Sequence, residues 1–197
     1  MKYPFTNQKD NMQNKKLIFA NILVILSILA CQNTFVASKD SPPPEEVYLG
    51  LRNIWFTTKP EELGITFEPE SKVPYAILMD MGIDGGTVTI VSSIIGDGSM
   101  YTSTGGGVIG GIDHENVRKA SIDFVKISGA FINKMNLTTE FPLPSGNSIK
   151  FYVITPGGIY TTEEVDADVL ASGNHELSPL FLAGNDVITE LRITTGQ

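Results

Sequence analysis

Apolar residues recur at helical spacing in three stretches of the chain. The first, EEVYLGLRNIWF, starts at Glu45 and carries two acids in its first turn, where the helix dipole favours negative charge. The second runs from Asp113, a good N-cap, to Lys134, and the third begins with Ser178 as N-cap and Pro179 as first helical residue. We predict three helices whose buried faces consist of Val47, Leu51, Ile54 and Trp55; of Val117, Ala120, Phe124, Ile127 and Phe131; and of Leu180, Gly184, Val187, Ile188 and Leu191.

Runs typical of β-strands lie between these helices. VPYAILMDMG and GTVTIVSSII are joined around Asp84-Gly85, a strong hairpin signal, and the turn GDGS at 96–99 leads into SMYTST. SIKFYVIT and GIYTT form a second hairpin around Pro156-Gly157-Gly158. The predicted order is α-βββ-α-ββ-α, which indicates an α+β fold: a mainly antiparallel, five-stranded sheet with helices packed on it.

Two shorter stretches predict single helical turns. In TTKPEELGI, Thr58 and Glu61 have the spacing of a capping box and Gly64 ends the turn. The segment EEVDADVLASGNHEL predicts a short helix that ends at Gly173.

The first 30 residues have the pattern of an export signal. Four lysines and one aspartate precede Leu17–Ala30, a 14-residue apolar stretch that is too short to span a bilayer comfortably. The stretch ends in Ile28-Leu29-Ala30-Cys31, which resembles the bacterial lipobox. The resemblance implies cleavage before Cys31, a diacylglyceryl group on its thiol and an acyl chain such as palmitate on the new amino terminus. Two alternatives stay open: cleavage at Val36-Ala37-Ser38, which gives a secreted protein, and an uncleaved anchor.

Composition places a single domain after this signal. Residues 31–44 are rich in Ser, Pro and polar residues and predict an extended tether, so the folded domain covers 45–197. Removing the four lysines and one aspartate of residues 1–30 from 14 basic and 22 acidic residues leaves 10 against 21, a net charge of −11. This acidity argues against nucleic acid as a partner. Cys31 is the single cysteine, so no internal disulfide can form.

Glycines dominate the segment STGGGVIGGIDHENVRKA, residues 103–120. Gly105, Gly107 and Gly110 have the G-x-G-x-x-G spacing of a dinucleotide site, but they follow the third strand of a meander, and no acid ends the next strand. No Lys-Ser or Lys-Thr follows them either, which excludes a P-loop. We therefore predict that the glycines let the chain leave the sheet at positive φ and let the next helix lie close to it. The candidate ligand loop, which a small anion would occupy, comprises Ser103, Gly105, Gly106, Gly107, Gly110, His114 and Asp80.

The sequence contains few groups suited to catalysis. His114 and His175 are its two histidines, they lack metal-ligand spacing, and no G-x-S-x-G elbow is present. Asp80 lies within an apolar strand, and strand alternation predicts that it faces solvent. We predict no catalytic residues, no metal and no cofactor.

The order of elements, with a glycine-rich crossing from strand to helix, resembles the profilin and Roadblock/longin class of domains. LRNIWFTTKPEELGI and YTSTGGGVIGG also resemble stretches of a small bacterial family without a known activity. The first resemblance implies a binding or dimerisation module. The expectation is a lipid-anchored protein of the cell envelope, facing periplasm or exterior, that binds a protein partner or a second copy, an immunity-type inhibitor being a special case.

The alternative is a small envelope hydrolase or ligand-binding protein with its site at the glycine-rich loop. A cleft that holds Asp80, residues 103–107 and His114 together would favour this alternative. An exposed apolar patch on the first or last helix would favour the binding module.

Overall fold

The computed structural model describes residues 42–196. The predicted signal peptide, Cys31 and residues 32–41 of the tether lie outside this part of the chain. The helices are α1 (Pro44–Asn53), α2 (Glu115–Ser128), α3 (Ala167–Ala171) and α4 (Ser178–Thr195), with 3₁₀ turns at Ile54–Phe56, Pro60–Leu63, Gly111–Asp113 and Ile132–Lys134. The strands are β1 (Ala76–Ile83), β2 (Gly86–Ser93), β3 (Gly98–Thr102), β4 (Gly107–Val108), β5 (Asn136–Thr138), β6 (Ser148–Thr155), β7 (Gly158–Thr161) and β8 (Val165–Asp166). Between residues 42 and 196, no helix has both the length and the apolar character needed to span a membrane.

The strands form one antiparallel sheet in the order β4-β3-β2-β1-β6-β7-β5, and β8 pairs with the start of β6. The predicted α+β class, the meander β1-β2-β3 and the hairpin β6-β7 are confirmed. The predicted number of five strands is wrong, because the described chain has eight. The three additional strands, β4, β5 and β8, have two or three residues each, which is too short to give a recognisable alternation.

Both faces of the sheet are covered. Helices α2, α3 and α4 pack on one face, where Met79, Ile90 and Phe151 meet apolar residues of the helices, including Phe124 and Leu180. Helix α1 and the turn after it cover the other face, where Tyr48 and Trp55 contact Leu78, Val91 and Tyr152. The sheet is therefore the middle layer of three.

The helix boundaries differ from the prediction at several ends. Helix α2 begins after His114, not Asp113, and ends at Ser128 because the chain turns at Gly129 and continues as a separate 3₁₀ turn. Helix α4 includes Ser178, and Leu177 takes the N-cap position. All five predicted core positions of α4 are buried, and the short helix α3 is followed by Gly173 at φ +78° as predicted.

The capping box lies one residue later than predicted. The side chain of Glu62, not of Glu61, accepts a hydrogen bond from the backbone N–H of Lys59 at 3.0 Å. Pro60 opens this turn and Gly64 ends it at φ +72°, the latter as predicted. The pairing of Thr58 with Glu61 is therefore wrong.

The prediction of which side of α1 is buried is wrong for Val47 and Ile54 and correct for Trp55. Tyr48, Arg52 and Trp55 are buried against the sheet. Val47 and Ile54, predicted to be core, are 45 % and 58 % exposed. The helix is rotated by about one residue step, about 100°, from the orientation that apolar periodicity indicates.

Candidate functional site

The glycine-rich segment forms a tight hairpin between β3 and β4. The backbone N–H of Thr102 donates to the carbonyl of Gly106 at 3.1 Å, and its hydroxyl donates to the carbonyl of Gly105 at 2.6 Å. Ser103 is bound to Thr87 of β2: its N–H donates to the carbonyl at 2.9 Å, and its Oγ accepts from the N–H at 2.8 Å. Thr102 is therefore bonded within the loop and Ser103 to the sheet, whereas the Oγ1 of Thr104 is buried without a hydrogen-bond partner among the described residues.

Gly107 has a backbone role that no other residue can take. Its φ is +154°, and a Cβ at this position would lie 2.2 Å from the carbonyl oxygen of Met100 on the paired strand. Gly106 differs, because its φ is +96° but a Cβ there would meet no atom within 4 Å. Gly110 precedes the 3₁₀ turn before α2, and its N–H donates to Ser99 Oγ at 3.3 Å. This geometry supports the prediction that the glycines serve the backbone.

The members of the candidate ligand loop do not converge. His114 is exposed at the start of α2, which packs on one face of the sheet. Asp80 contacts side chains of α1 on the opposite face and has no exposed area. The prediction that Asp80 faces solvent is wrong, because α1 covers the face to which strand alternation assigns it. The sheet therefore separates Asp80 from the helix that His114 precedes.

Asp80 is instead the centre of a buried polar network. Arg52 Nε and Nη2 donate to Asp80 Oδ2 at 2.9 and 2.6 Å, and Thr89 Oγ1 donates to Asp80 Oδ1 at 2.5 Å. The hydroxyl of Tyr48 completes the chain by donating to Thr89 Oγ1 at 2.8 Å. We refer to Tyr48, Arg52, Asp80 and Thr89 as the Asp80 network. Every member is buried, and Arg52 is only 1 % exposed.

Aromatic rings enclose the guanidinium of Arg52. Its Cζ lies 4.9 Å from the ring centre of Phe56 and 5.3 Å from that of Tyr152. Phe56 stacks on Phe141 with the ring centres 4.0 Å apart, so residues after β5 contribute to the enclosure. The remaining nitrogen, Nη1, donates to Asn53 Oδ1 at 3.2 Å. The charge is therefore shielded from water, and each of the three nitrogens donates a hydrogen bond.

Burial dominates the electrostatics of this region. It raises the pKa of Asp80, and the hydrogen bonds and charge of Arg52 oppose that shift. Burial also raises the pKa of Tyr152 to about 12 and raises that of Tyr48 further, so both hydroxyls stay protonated at neutral pH. A sealed network whose polar atoms satisfy one another fastens α1 to the sheet; it offers no accessible acid or base to a substrate.

Arg52 is the residue that sequence reasoning did not single out. A signal was present: Tyr48, Arg52 and Trp55 have the spacing i, i+4, i+7, which places them on one side of a helix. An aspartate in the middle of an apolar strand requires a partner if both faces of the sheet are covered. That both faces of the sheet are covered could not be read from the sequence.

The exposed side of α1 carries an apolar stripe. Val47 in α1 and Ile54, the first residue of the following 3₁₀ turn, are exposed, and Leu51, between them, is half-buried and packs against the core on this face of the sheet. We call Val47, Leu51 and Ile54 the α1 stripe. Gly50 lies beside it, and a Cβ there would meet no atom within 4 Å. Exposed apolar residues that are grouped on one helix side are typical of a surface that contacts another protein.

The chain matches no protein-family model, no curated protein and no solved structure.

A shallow acidic groove lies between α2 and α4. Its volume is about 290 Å³, and its charged lining residues are Lys119, Asp123, Asp186 and Glu190. Burial raises the pKa of Asp186, and the charges of Glu190 and Asp123 raise it further. No three His, Cys, Asp or Glu side chains within residues 42–196 form a group that could hold a metal ion. His175 uses its Nδ1 to accept a hydrogen bond from the N–H of Leu177 at 3.2 Å, so it caps the turn before α4.

Proposed function

We propose that this protein is a lipid-anchored module of the cell envelope that binds another protein through the α1 stripe. The observation that carries the proposal is the exposure of Val47 and Ile54 on a helix whose opposite side is fixed to the sheet. An apolar surface on a rigid element is typical of a protein-binding site. This proposal requires neither a catalytic residue nor a cofactor.

The anchor is the lipidated Cys31, which follows the apolar stretch and the lipobox-like residues. Acyl chains on this residue hold the protein at a membrane without a transmembrane helix. The 12 residues 32–43 connect the anchor directly to α1. The binding surface therefore faces periplasm or exterior within a short distance of the membrane. The secreted form that cleavage near Ala37 would give is the alternative localisation.

The layered architecture agrees with this class of function. Profilin and Roadblock-like domains, which the order of elements resembles, also have a sheet between helices and act as binding or dimerisation modules. The alternative, a hydrolase or ligand-binding protein with its site at the glycine-rich loop, has less support. Ser103 is bonded within the sheet, and Asp80 and His114 lie on different faces.

The net charge of this protein indicates the charge of its partner. The net charge from Cys31 onward is −11, and the groove between α2 and α4 adds carboxylates at the surface. A partner with a basic surface would associate faster with such a module. An immunity-type inhibitor of a basic toxin is a special case of this function.

Site-specific photocrosslinking of the full chain in its own envelope tests the proposal. A benzophenone amino acid replaces Val47 in one variant and Ile193, an equally apolar residue that is 65 % exposed on α4, in the control. We expect a protein adduct from position 47 and none from position 193. Absence of any protein adduct at position 47 would contradict the proposal.

A further inference from the structure

We propose that the α1 stripe and the neighbouring edge of the sheet form one site, which binds an extended, basic segment of another protein as an added strand beside β4. This inference rests on the proposed function, because it specifies how a partner uses the same surface. Three features support it: the position of the stripe relative to β4, the outward backbone of this edge and the charge around it.

The contacts of α1 place its stripe toward the β3–β4 edge of the sheet. Toward the other edge, Phe56 contacts Tyr152 of β6, with ring centres 5.3 Å apart. Pro44 lies over the hairpin between β3 and β4, where a Cβ at Gly105 would be 3.2 Å from the Cβ of Pro44. Leu51 follows Pro44 by two helical turns and projects from the same side of α1, whereas Phe56 projects from the opposite side. The stripe therefore faces β4 and not β6.

Ile109 extends this apolar surface to the edge of the sheet. The side chain of Val108, in β4, packs into the core on the face of α2 and α4. Successive residues of an extended chain point to opposite faces, so the next residue, Ile109, projects on the face that α1 covers. Ile109 is 65 % exposed. The stripe and Ile109 therefore lie on the same face, at the same edge.

The backbone at this edge has a free side. In the described part of the chain, β4 is the outermost strand at this end of the sheet. Val108 is paired with Met100 of β3, and the N–H of Gly110 also points back to β3, where it donates to Ser99 Oγ at 3.3 Å. Because backbone groups alternate in direction along a strand, the N–H of Ile109, between these two residues, is directed outward. An added strand supplies the acceptor that such an N–H needs.

An extended segment fits this site better than a helix. Its backbone bonds to the edge of β4 while every second side chain meets the apolar residues on the α1 face. A helix satisfies its own backbone groups and would use the stripe alone. Gly105, Gly106 and Gly107 are exposed and carry no side chain that would obstruct the approach of another backbone.

The charges around the site favour a basic segment. Glu45 and Glu46 are exposed at the start of α1, beside the hairpin, and Asp113 and Glu115 are exposed after β4. The first cation that follows them is Arg118, so four acids face one exposed base in these two segments. Lysine or arginine residues in the added strand complement this charge, whereas a second copy of this acidic chain would be repelled.

Photocrosslinking of the full chain in its own envelope, with the benzophenone amino acid at position 109, tests the site. Leu137, which is 63 % exposed on β5 at the other end of the sheet, is the matched control. We expect positions 109 and 47 to give an adduct with the same protein and position 137 to give none. An adduct at only one of positions 109 and 47 would overturn this inference; if that position is 47, the proposed function stands. No adduct at either position would remove both.

Substitutions of Ile109 test the backbone contact and the apolar contact separately. Ile109→Pro keeps an apolar side chain but removes the outward N–H, and Ile109→Ser keeps the N–H but removes the apolar side chain. Each should lower the yield of the adduct at position 47 by about fivefold, while Ile109→Val should leave it unchanged. Thermal melts show whether each variant keeps its fold, and Ile109→Ser tests the site even if the proline variant unfolds. An undiminished yield in the folded variants would overturn the inference.

Neutralising the acids at the start of α1 tests the charge of the segment. Glu45→Gln combined with Glu46→Gln should lower the yield at position 109 by about fivefold. Glu140→Gln combined with Glu163→Gln, two exposed acids elsewhere, is the control and should change it little. Mass spectrometry of the adduct then identifies the crosslinked peptide, which should contain lysine or arginine. A peptide without basic residues, or a peptide of this chain itself, would overturn the inference.

Discussion

Replacing Asp80 by Asn removes one charge from the Asp80 network with little change in shape. Asp80 accepts two hydrogen bonds from Arg52 and one from Thr89, and both charged partners are essentially without solvent contact. In Asp80→Asn, the guanidinium stays charged and stays enclosed by Phe56 and Tyr152, but its counter-ion is absent. Water cannot replace the carboxylate without opening the contact between α1 and the sheet.

The expected cost is large relative to the stability of the domain. Removing one partner of a buried ion pair costs about 3–5 kcal/mol of stability. The free energy of unfolding of a typical domain is only about 5–15 kcal/mol. For a domain of this size, the melting temperature should fall by about 10 °C or more. Arg52→Met should also be destabilising, because it leaves the carboxylate buried with Thr89 alone. The double variant should be more stable than the sum of the two losses predicts, by about 2 kcal/mol.

Urea unfolding of the chain from Gln32 onward measures these differences. Trp55 is the single tryptophan, and its Nε1 lies 3.5 Å from the hydroxyl of Tyr101 in the same buried cluster, so its fluorescence reports on the packing of α1. Asp84→Asn, an exposed acid in the turn between β1 and β2, is the control and should change stability little. A free energy of unfolding for Asp80→Asn within about 1 kcal/mol of wild type would refute this prediction. So would a double variant whose loss of stability equals the sum of the two single losses.

Three further predictions concern the anchor, the glycine hairpin and the acidic groove. Cys31→Ser should abolish labelling of the protein by radioactive fatty acid and leave unprocessed precursor in the membrane; labelling that persists would exclude lipidation at this residue. Gly107→Val should destabilise the domain by about 3 kcal/mol and Gly106→Val by about 1 kcal/mol, because both have positive φ but only Gly107 has no room for a Cβ; equal melting temperatures for wild type and both variants would contradict this. Burial raises the pKa of Asp186 in the folded protein above its value in the unfolded chain. The protonated carboxyl therefore stabilises the fold at pH values below the unfolded pKa. This contribution is lost as the pH rises through the folded pKa. Asp186→Asn should therefore be more stable than wild type at neutral pH by a few tenths of a kcal/mol, with the gain absent near roughly pH 3, as thermal melts at both pH values would measure.

The elements of this fold follow largely from local sequence. The β-rich composition of β1 and β2, the Asp84-Gly85 turn and the apolar spacing of α4 each involve residues that are near neighbours in the chain. Their preferences act before any tertiary contact forms, so the meander, the second hairpin and the last helix could be predicted. The backbone role of Gly107 could be predicted for the same reason, because it depends on a strand only a few residues away.

Only the tertiary structure decided which side of α1 is buried and where Asp80 points. Strand alternation correctly places Leu78 and Asp80 on the same face of β1, but it cannot tell whether a second layer covers that face. Arg52 and Asp80 are 28 residues apart, and their ion pair orients α1 against its apolar periodicity. The pair forms only when sheet and helix meet, because desolvating either charge alone is unfavourable. The same contact leaves Val47 and Ile54 at the surface. The spacing of Tyr48, Arg52 and Trp55 was compatible with this orientation, but only the contact with the sheet decided between the two sides of the helix.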